Sequence, residues 1–167
     1  IDGSFPRSKW EAGVAARAAE LAATSPARAS VGVELTPVTS EVGEHGSRTY
    51  RHVTIELDPA ERVATTTVNG PQTSAPADAA ALRAEGASTW SMAAFRELED
   101  ALFHLRFTHD TYGLILLQTR GDAAAVLAHD QALADLGDDW LATEIRLLQA
   151  RILRRVDNTA RSFFAIV

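Results

Sequence analysis

The hydrophobic pattern is most distinctive at residues 112–130. Residues 114–117 form a short, unbroken apolar run, which predicts a strand buried on both faces. Residues 119–122 interrupt this run, and Gly121 within them favours a turn. An alanine-rich helical stretch follows. A strand, a tight loop and a helix in this order form the arrangement in which α/β proteins bind ligands beyond the carboxyl end of a strand.

Three further strands are predicted around this unit. Apolar and polar residues alternate at residues 49–57, which predicts a strand with one exposed face. A turn at Asp58-Pro59 and a β-branched segment after it predict a hairpin partner. The predicted strands are residues 49–57, 62–68, 112–118 and 162–167. Helical crossovers precede the last strand, so we expect the last two strands to be parallel within one sheet.

Apolar residues at helical spacing predict four helices. The first begins at a capping box formed by Ser8 and Glu11. The second carries its apolar residues on one face, with Glu97 off that face. The third ends before Gly137, a natural C′ residue, and Asp139 can cap the fourth. The predicted helices cover residues 8–25, 92–107, an alanine-rich segment ending at 136, and 138–159.

Polar segments separate these elements. Residues 27–47 contain several glycines and a proline, which predicts a linker or surface excursion. Residues 72–91 form an insertion rich in Ala, Pro and Ser with weak structural signals. The first helix therefore belongs to a preceding domain or to the connection between two domains.

The amino-acid composition excludes several classes of protein from the expected ones. The chain has 167 residues, 46% of them hydrophobic, which is enough for one domain with a core. Its net charge is -6 and no basic run stands out, so a nucleic-acid partner is not expected. It has no cysteine and no apolar run near the roughly 20 residues of a membrane span. We therefore expect a cytoplasmic protein with no membrane partner, disulfide or catalytic thiolate.

The two ends of the sequence predict an excised piece of a longer chain. The sequence begins with Ile1 and stops at Val167, inside an apolar run with no turn signal. Such a piece should expose apolar surface around Phe163, Phe164 and Val167. The alternative is a C-terminal strand that docks in the sheet.

Three segments resemble the crotonase (enoyl-CoA hydratase/isomerase) superfamily. Residues 62–71, RVATTTVNGP, resemble its opening strand, and residues 97–102, ELEDAL, resemble its first helix. Residues 113–130 resemble its next strand and acyl-CoA loop. The resemblance implies an α/β fold of the crotonase-like (ClpP/crotonase) ββα spiral type, incomplete here. Residues 1–48 would precede that domain, and residues 49–167 would form its truncated N-terminal part.

A closer resemblance is to an acyl-CoA lyase of this superfamily that is built from two crotonase-like halves. Residues 97–106, 119–122 and 160–166 resemble its second half. This implies ring opening of 2,3-epoxybenzoyl-CoA with release of formate, in aerobic benzoate degradation, by a homo-oligomeric enzyme. The coenzyme A thioester is the substrate, and no metal or redox cofactor is implied. The alternatives are an enoyl-CoA hydratase or isomerase, and a non-catalytic scaffold half.

The resemblance also implies a substrate-binding loop. Residues 127–130 correspond to the superfamily's Ala-Gly-Ala-Asp signature, so the loop would include Gly121, Ala128, His129 and Asp130. The His129 amide would be one oxyanion donor for the thioester. Ala128 replaces the signature glycine, which is expected to hinder thioester entry. The second donor and the acid/base groups would lie outside this chain, so no catalytic residue is assigned.

Other polar residues favour structural roles. His109-Asp110 and His129-Asp130 are adjacent pairs, and adjacent side chains on a strand or helix point in different directions. Such a pair is poorly placed for a base and its orienting group. The five histidines show no metal-ligand spacing.

Two further features have no clear catalytic context. Ser162 lacks the Gly-x-Ser-x-Gly sequence of a hydrolase nucleophile. Arg151, Arg154 and Arg155 either meet the phosphates of coenzyme A or form a solvated helix face.

Overall fold

The computed structural model describes residues 3–25, 32–159 and 161–166. The chain divides into two compact units, Ile1–Gly32 and Val33–Val167. The second unit is organised around one mixed sheet. Its six strands are β1 (Glu41–Val42), β2 (Arg48–Thr49), β3 (Val53–Asp58), β4 (Val63–Asn69), β5 (Leu114–Arg120) and β6 (Ser162–Ile166).

The strands lie in the sheet in chain order. The three pairs between β1 and β4 are antiparallel, whereas β4 pairs with β5 and β5 with β6 in parallel. In the β4–β5 ladder Ala64 lies opposite Ile115, and in the next ladder Ile115 lies opposite Phe163. The prediction of one sheet with a parallel final pair is confirmed for the described residues; Val167 lies outside them.

The first predicted strand is broken in two. Residues 50–52 leave the β conformation between β2 and β3, and the Tyr50 amide donates to the Val53 carbonyl across this bend at 2.8 Å. The short strand β1 also forms within the predicted linker and pairs with β2. Residues 26–31 of that linker lie outside the described part of the chain.

Five α-helices lie among the described residues. They are α1 (Trp10–Thr24), α2 (Ala79–Glu85), α3 (Trp90–Thr108), α4 (Ala123–Asp135) and α5 (Trp140–Asp157). The insertion predicted to have little structure contains α2, because Asp78 caps it by accepting the Ala81 amide at 2.8 Å. The ends predicted for the last two helices are confirmed. Gly137 has a φ of +54° after α4, and the Asp139 carboxylate accepts the Leu141 amide at 3.0 Å.

The core lies between one face of the sheet and the helices α3 and α5. Alternate strand residues point into it, including Val53, Ile55, Ala64 and Ile115. A second, smaller cluster joins α2, α4 and α5. Its buried members are Leu82, Leu133, Leu141, Ala142 and Ile145.

The prediction that the central strand is buried on both faces is wrong. Ile115 is buried, but Leu114 and Leu116, on the opposite face of β5, are only partly buried. Phe164 on the neighbouring strand is 62% exposed, whereas Phe163 packs against the core. Apolar surface is therefore exposed at Phe164 as expected, but the same expectation is wrong for Phe163, which is partly buried; Val167 lies outside the described residues. The opposite face of β5 and β6 is incompletely buried because α3 and α5 both pack against the same face of the sheet.

The first unit consists of a 3₁₀ turn, Arg7–Lys9, that continues into α1. The predicted capping box is wrong. Ser8 lies within the turn, and Lys9 is the N-cap residue, with no side-chain capping hydrogen bond. Phe5 packs edge-on against Trp10, with 6.4 Å between the ring centroids.

Two glycines meet where β4 and β5 end. The Gly70 amide donates to the Arg120 carbonyl at 2.7 Å, which extends the parallel ladder by one bond. Gly121 follows with a φ of +128°, and a Cβ added to it would lie 3.2 Å from the Gly70 Cα. Only a residue without a Cβ fits both this conformation and this contact.

We therefore expect Gly121→Ala to lower the free energy of unfolding by about 1–3 kcal/mol, because the new methyl group strains the backbone and separates the strand ends. Gly113→Ala is the matched control, since a Cβ there would meet nothing within 4 Å. Denaturant unfolding of both variants measures the difference. An equal effect of the two substitutions would contradict the role of the glycine contact.

Candidate functional site

The four residues predicted to bind an acyl thioester do not share one loop. Gly121 directly follows β5, whereas Ala128, His129 and Asp130 lie within α4. Ala128 and Asp130 are exposed, and His129 is 1% exposed. Only the first of the four therefore lies at the carboxyl end of a parallel strand, where α/β proteins bind their ligands.

His129 anchors the chain segment that follows β4. Its Nε2 lies 3.1 Å from the Thr73 carbonyl, and its ring packs edge-on against Trp90. A carbonyl only accepts, so the contact places the imidazole proton on Nε2. Trp90 in turn donates from Nε1 to the Asn69 carbonyl at 2.9 Å. The two rings hold the polypeptide around the β4 terminus in place.

The main-chain donors near this site are largely engaged. His129 lies seven positions into α4, where an amide bonds to the carbonyl four residues earlier. The Asp122 carboxylate caps the helix by accepting the Ala124 amide at 2.8 Å. A carboxylate of the chain thus occupies the position that an anionic ligand takes at an open helix terminus. Substrate binding by Gly121, Ala128, His129 and Asp130 stays a prediction.

A cleft of about 530 Å³ opens at the same end of the sheet. Val53 pairs with Val68, so β3 begins beside the end of β4, and the bend at residues 50–52 lies next to it. The cleft is bounded by that bend, residues 36–41 and the first turns of α3. Its charged lining residues are Glu41, Arg51, Arg96 and Glu97.

Glu97 is the buried acid of this cleft. Its side chain is on α3 and the residue is only 8% exposed. Its Oε2 accepts the His52 amide at 2.6 Å, which satisfies a donor exposed by the bend between β2 and β3. Burial raises the pKa of Glu97; the hydrogen bonds from the His52 and Val53 amides oppose this shift. A buried carboxyl with a raised pKa is chemically able to act as a general acid or base.

Sequence reasoning placed Glu97 off the buried face, and that prediction is wrong. Position 97 is three residues after Ala94 and four before Ala101, and both alanines are buried. Because residues three and four apart lie on the same face of a helix, this spacing indicated that Glu97 is on the buried face. It was overlooked because a carboxylate is rarely buried without a partner, and its partner, the His52 amide, is 45 residues away in sequence.

A second hydrogen bond joins the same two elements. The Tyr50 hydroxyl donates to Asp100 Oδ2 at 2.7 Å, one helical turn after Glu97. Burial, then the hydrogen bond to Asp100, raises the pKa of Tyr50, so the phenol stays protonated at neutral pH. Tyr50 and Glu97 together fix the bend of the chain onto α3.

The arginines considered as phosphate ligands have different environments. Arg151 and Arg155 both lie close to Glu99, at 2.8 and 3.2 Å. Such partly exposed pairs contribute only about 0–1 kcal/mol, but they direct both guanidinium groups towards α3. Arg151 and Arg154 are exposed, as the solvated-face interpretation predicts, whereas Arg155 is partly buried. The ion pairs with Glu99 join this face of α5 to α3.

Two other kinds of feature are absent from the described ranges. No group of three or more His, Asp or Glu side chains there is arranged to hold a metal ion. No helix in those ranges has the length and apolarity needed to cross a membrane.

No family model matches this sequence. The chain is 35% identical over 169 aligned residues to benzoyl-CoA-dihydrodiol lyase from Aromatoleum evansii. The alignment covers the whole of this chain but 30% of that lyase. The chain thus spans less than a third of the length of the curated relative that it matches.

Glu97→Gln should remove a pH-dependent loss of stability. The raised pKa means that the folded state holds this proton more tightly than the unfolded state, whose value is near 4.5. The stability from the protonated carboxyl is complete below pH 4.5 and is lost as the pH rises through the folded-state pKa. The unfolding free energy of the wild type minus that of Glu97→Gln should therefore fall as the pH rises from 4.5.

Denaturant titrations at a series of pH values measure this difference. Glu56→Gln, at an exposed position on β3, reports the background effect of removing one acidic group. A wild-type minus Glu97→Gln difference that stays constant or increases with pH would show that the raised pKa is incorrect.

Proposed function

We propose that this chain is one crotonase-like part of an acyl-CoA lyase that opens the ring of 2,3-epoxybenzoyl-CoA. In the proposed reaction, water adds and the ring opens without the use of molecular oxygen. Formate and an aldehyde-bearing acyl-CoA are released during aerobic benzoate degradation. The observation that carries the proposal is the 35% identity to benzoyl-CoA-dihydrodiol lyase along the whole chain. The order of strands and helices agrees with the crotonase-like segments quoted above.

Within that enzyme this part would position the substrate and support other domains. The cleft that holds Glu97 opens at the edge of the sheet where the parallel strands β4 and β5 end, although neither strand lines it. This edge is the usual ligand edge of α/β proteins. The His129 amide is engaged within α4, so the oxyanion donors and the working acid/base pair are proposed to lie elsewhere in the enzyme. The proposed assembly is a cytoplasmic homo-oligomer with no metal or redox cofactor.

An enoyl-CoA hydratase or isomerase is the second candidate. The buried Glu97 favours it, since hydration of an enoyl thioester uses a positioned carboxyl group as acid or base. A non-catalytic scaffold half is the third candidate. It is favoured by the position of the His129 amide inside α4, where that amide is not free to act as an oxyanion donor.

The reaction is tested by incubating the whole protein that carries this chain with 2,3-epoxybenzoyl-CoA and measuring formate. We expect one formate for each substrate consumed, with negligible hydration of crotonyl-CoA. Hydration of crotonyl-CoA without formate release would favour the hydratase instead. Absence of both activities in a folded protein would contradict the proposed lyase.

Ala128→Trp tests whether α4 contacts the substrate. Ala128 is exposed on the helix, so we expect kcat and KM to stay within about twofold of the wild type, as is usual for surface substitutions. Ala134→Trp is the matched control, because Ala134 is exposed near the C-terminal end of α4. A large rise in KM for Ala128→Trp alone, in a folded variant, would show that this helix borders the thioester site.

A further inference from the structure

A small cavity lies away from the cleft, where α3, α5 and β6 meet. Its volume is about 30 Å³. Three arginine side chains line it: Arg106 on α3, Arg155 on α5, and Arg161 just before β6. Apart from Thr159, the rest of its wall is apolar and includes Phe103 and Phe163. Cationic groups thus converge on an apolar space.

The charges around this cavity are unbalanced. Glu99 is shared between Arg151 and Arg155, and the Arg155 guanidinium lies over the Phe103 ring, 4.8 Å from its centroid. Arg106 and Arg161 repel each other, and Asp110 is the carboxylate that opposes this repulsion. Three guanidinium groups therefore line the cavity, whereas Glu99 and Asp110, the carboxylates described near them, do not line it.

Arg161 carries an unused donor at this place. Its Nη1 is buried and has no hydrogen-bond partner among the described residues. Arg155 Nε is also buried, and its 3.2 Å approach to Glu99 Oε1 lacks hydrogen-bonding alignment. Burial lowers the pKa of Arg161, while Asp110 raises it and Arg106 lowers it further. Buried guanidinium donors without an acceptor are costly, so a bound acceptor would stabilise them.

We propose that this cavity binds a small carboxylate from solution, such as formate or acetate. One water needs roughly 10–15 Å³ of such space, so the cavity is large enough for a carboxylate group. Guanidinium groups match carboxylate oxygens with paired hydrogen bonds. The apolar wall at Phe103 and Phe163 suits the carbon end of the anion better than a fourth phosphate oxygen would. The inference does not rest on the proposed reaction.

Titration of the whole protein with ¹³C-labelled formate, followed by NMR line broadening, measures binding directly. Thermal unfolding with formate, acetate, phosphate or chloride at equal ionic strength gives a second measure, because a ligand of the folded state raises the Tm. We expect saturable formate binding, and a larger rise in Tm with formate and acetate than with phosphate or chloride.

Arg161→Gln should weaken formate binding at least about tenfold, since one charge-assisted hydrogen bond is worth about 1.5–3 kcal/mol. Arg106→Gln, at an exposed position, should weaken formate binding less. This variant provides the test if Arg161→Gln does not fold. Arg154→Gln is the matched control, because Arg154 is on the same helix as Arg155 but does not line the cavity. Absence of saturable binding, equal effects of all three substitutions, or preferential stabilisation by phosphate would overturn the proposal.

Discussion

The parallel pairing of β4 with β5 is the interaction on which the rest of the structure depends. It joins the antiparallel half of the sheet to β6, and the crossover between these strands contains α2 and α3. The ladder ends at Gly70 and Gly121, whose close contact leaves no room for a Cβ. This constraint fixes where α4 begins, because Asp122, its cap, follows the second glycine directly.

The bend between β2 and β3 imposes a second constraint. A break in a strand exposes amides that need an acceptor, and the chain supplies one from a helix rather than from water. Glu97 and Asp100 on α3 accept from the His52 amide and the Tyr50 hydroxyl. Burying a carboxylate is costly, and this cost is visible as the raised pKa of Glu97. The same arrangement gives the cleft its one buried acid.

The sequence predicted the sheet because alternation and β-branched residues are local signals of strands. It also predicted the ends of α4 and α5, since Gly137 and Asp139 act on their nearest neighbours. Prediction from the sequence was wrong where contacts with other parts of the chain determine the structure. The Ser8 capping box does not form, because Ser8 lies inside the 3₁₀ turn that precedes α1. The burial of Leu116 depended on which sheet face the helices cover.

The candidate site was predicted less well than the fold. The family resemblance implied a loop at residues 121–130. An alanine-rich segment with an aspartate cap favours a helix, and residues 123–135 form one. Glu97 could be recognised only once the bend that it stabilises was known. Residue spacing therefore locates elements, whereas the chemistry of this site arises from contacts between residues far apart in sequence.

The central claim is that α4 is helical through His129, so that the His129 amide is not a free oxyanion donor. Amide hydrogen exchange of the whole protein, measured by NMR with and without benzoyl-CoA, tests it most directly. The account predicts that the His129 amide exchanges slowly and equally in both samples, because its partner is a helix carbonyl. Rapid exchange in the free protein that becomes slow when benzoyl-CoA binds would contradict it.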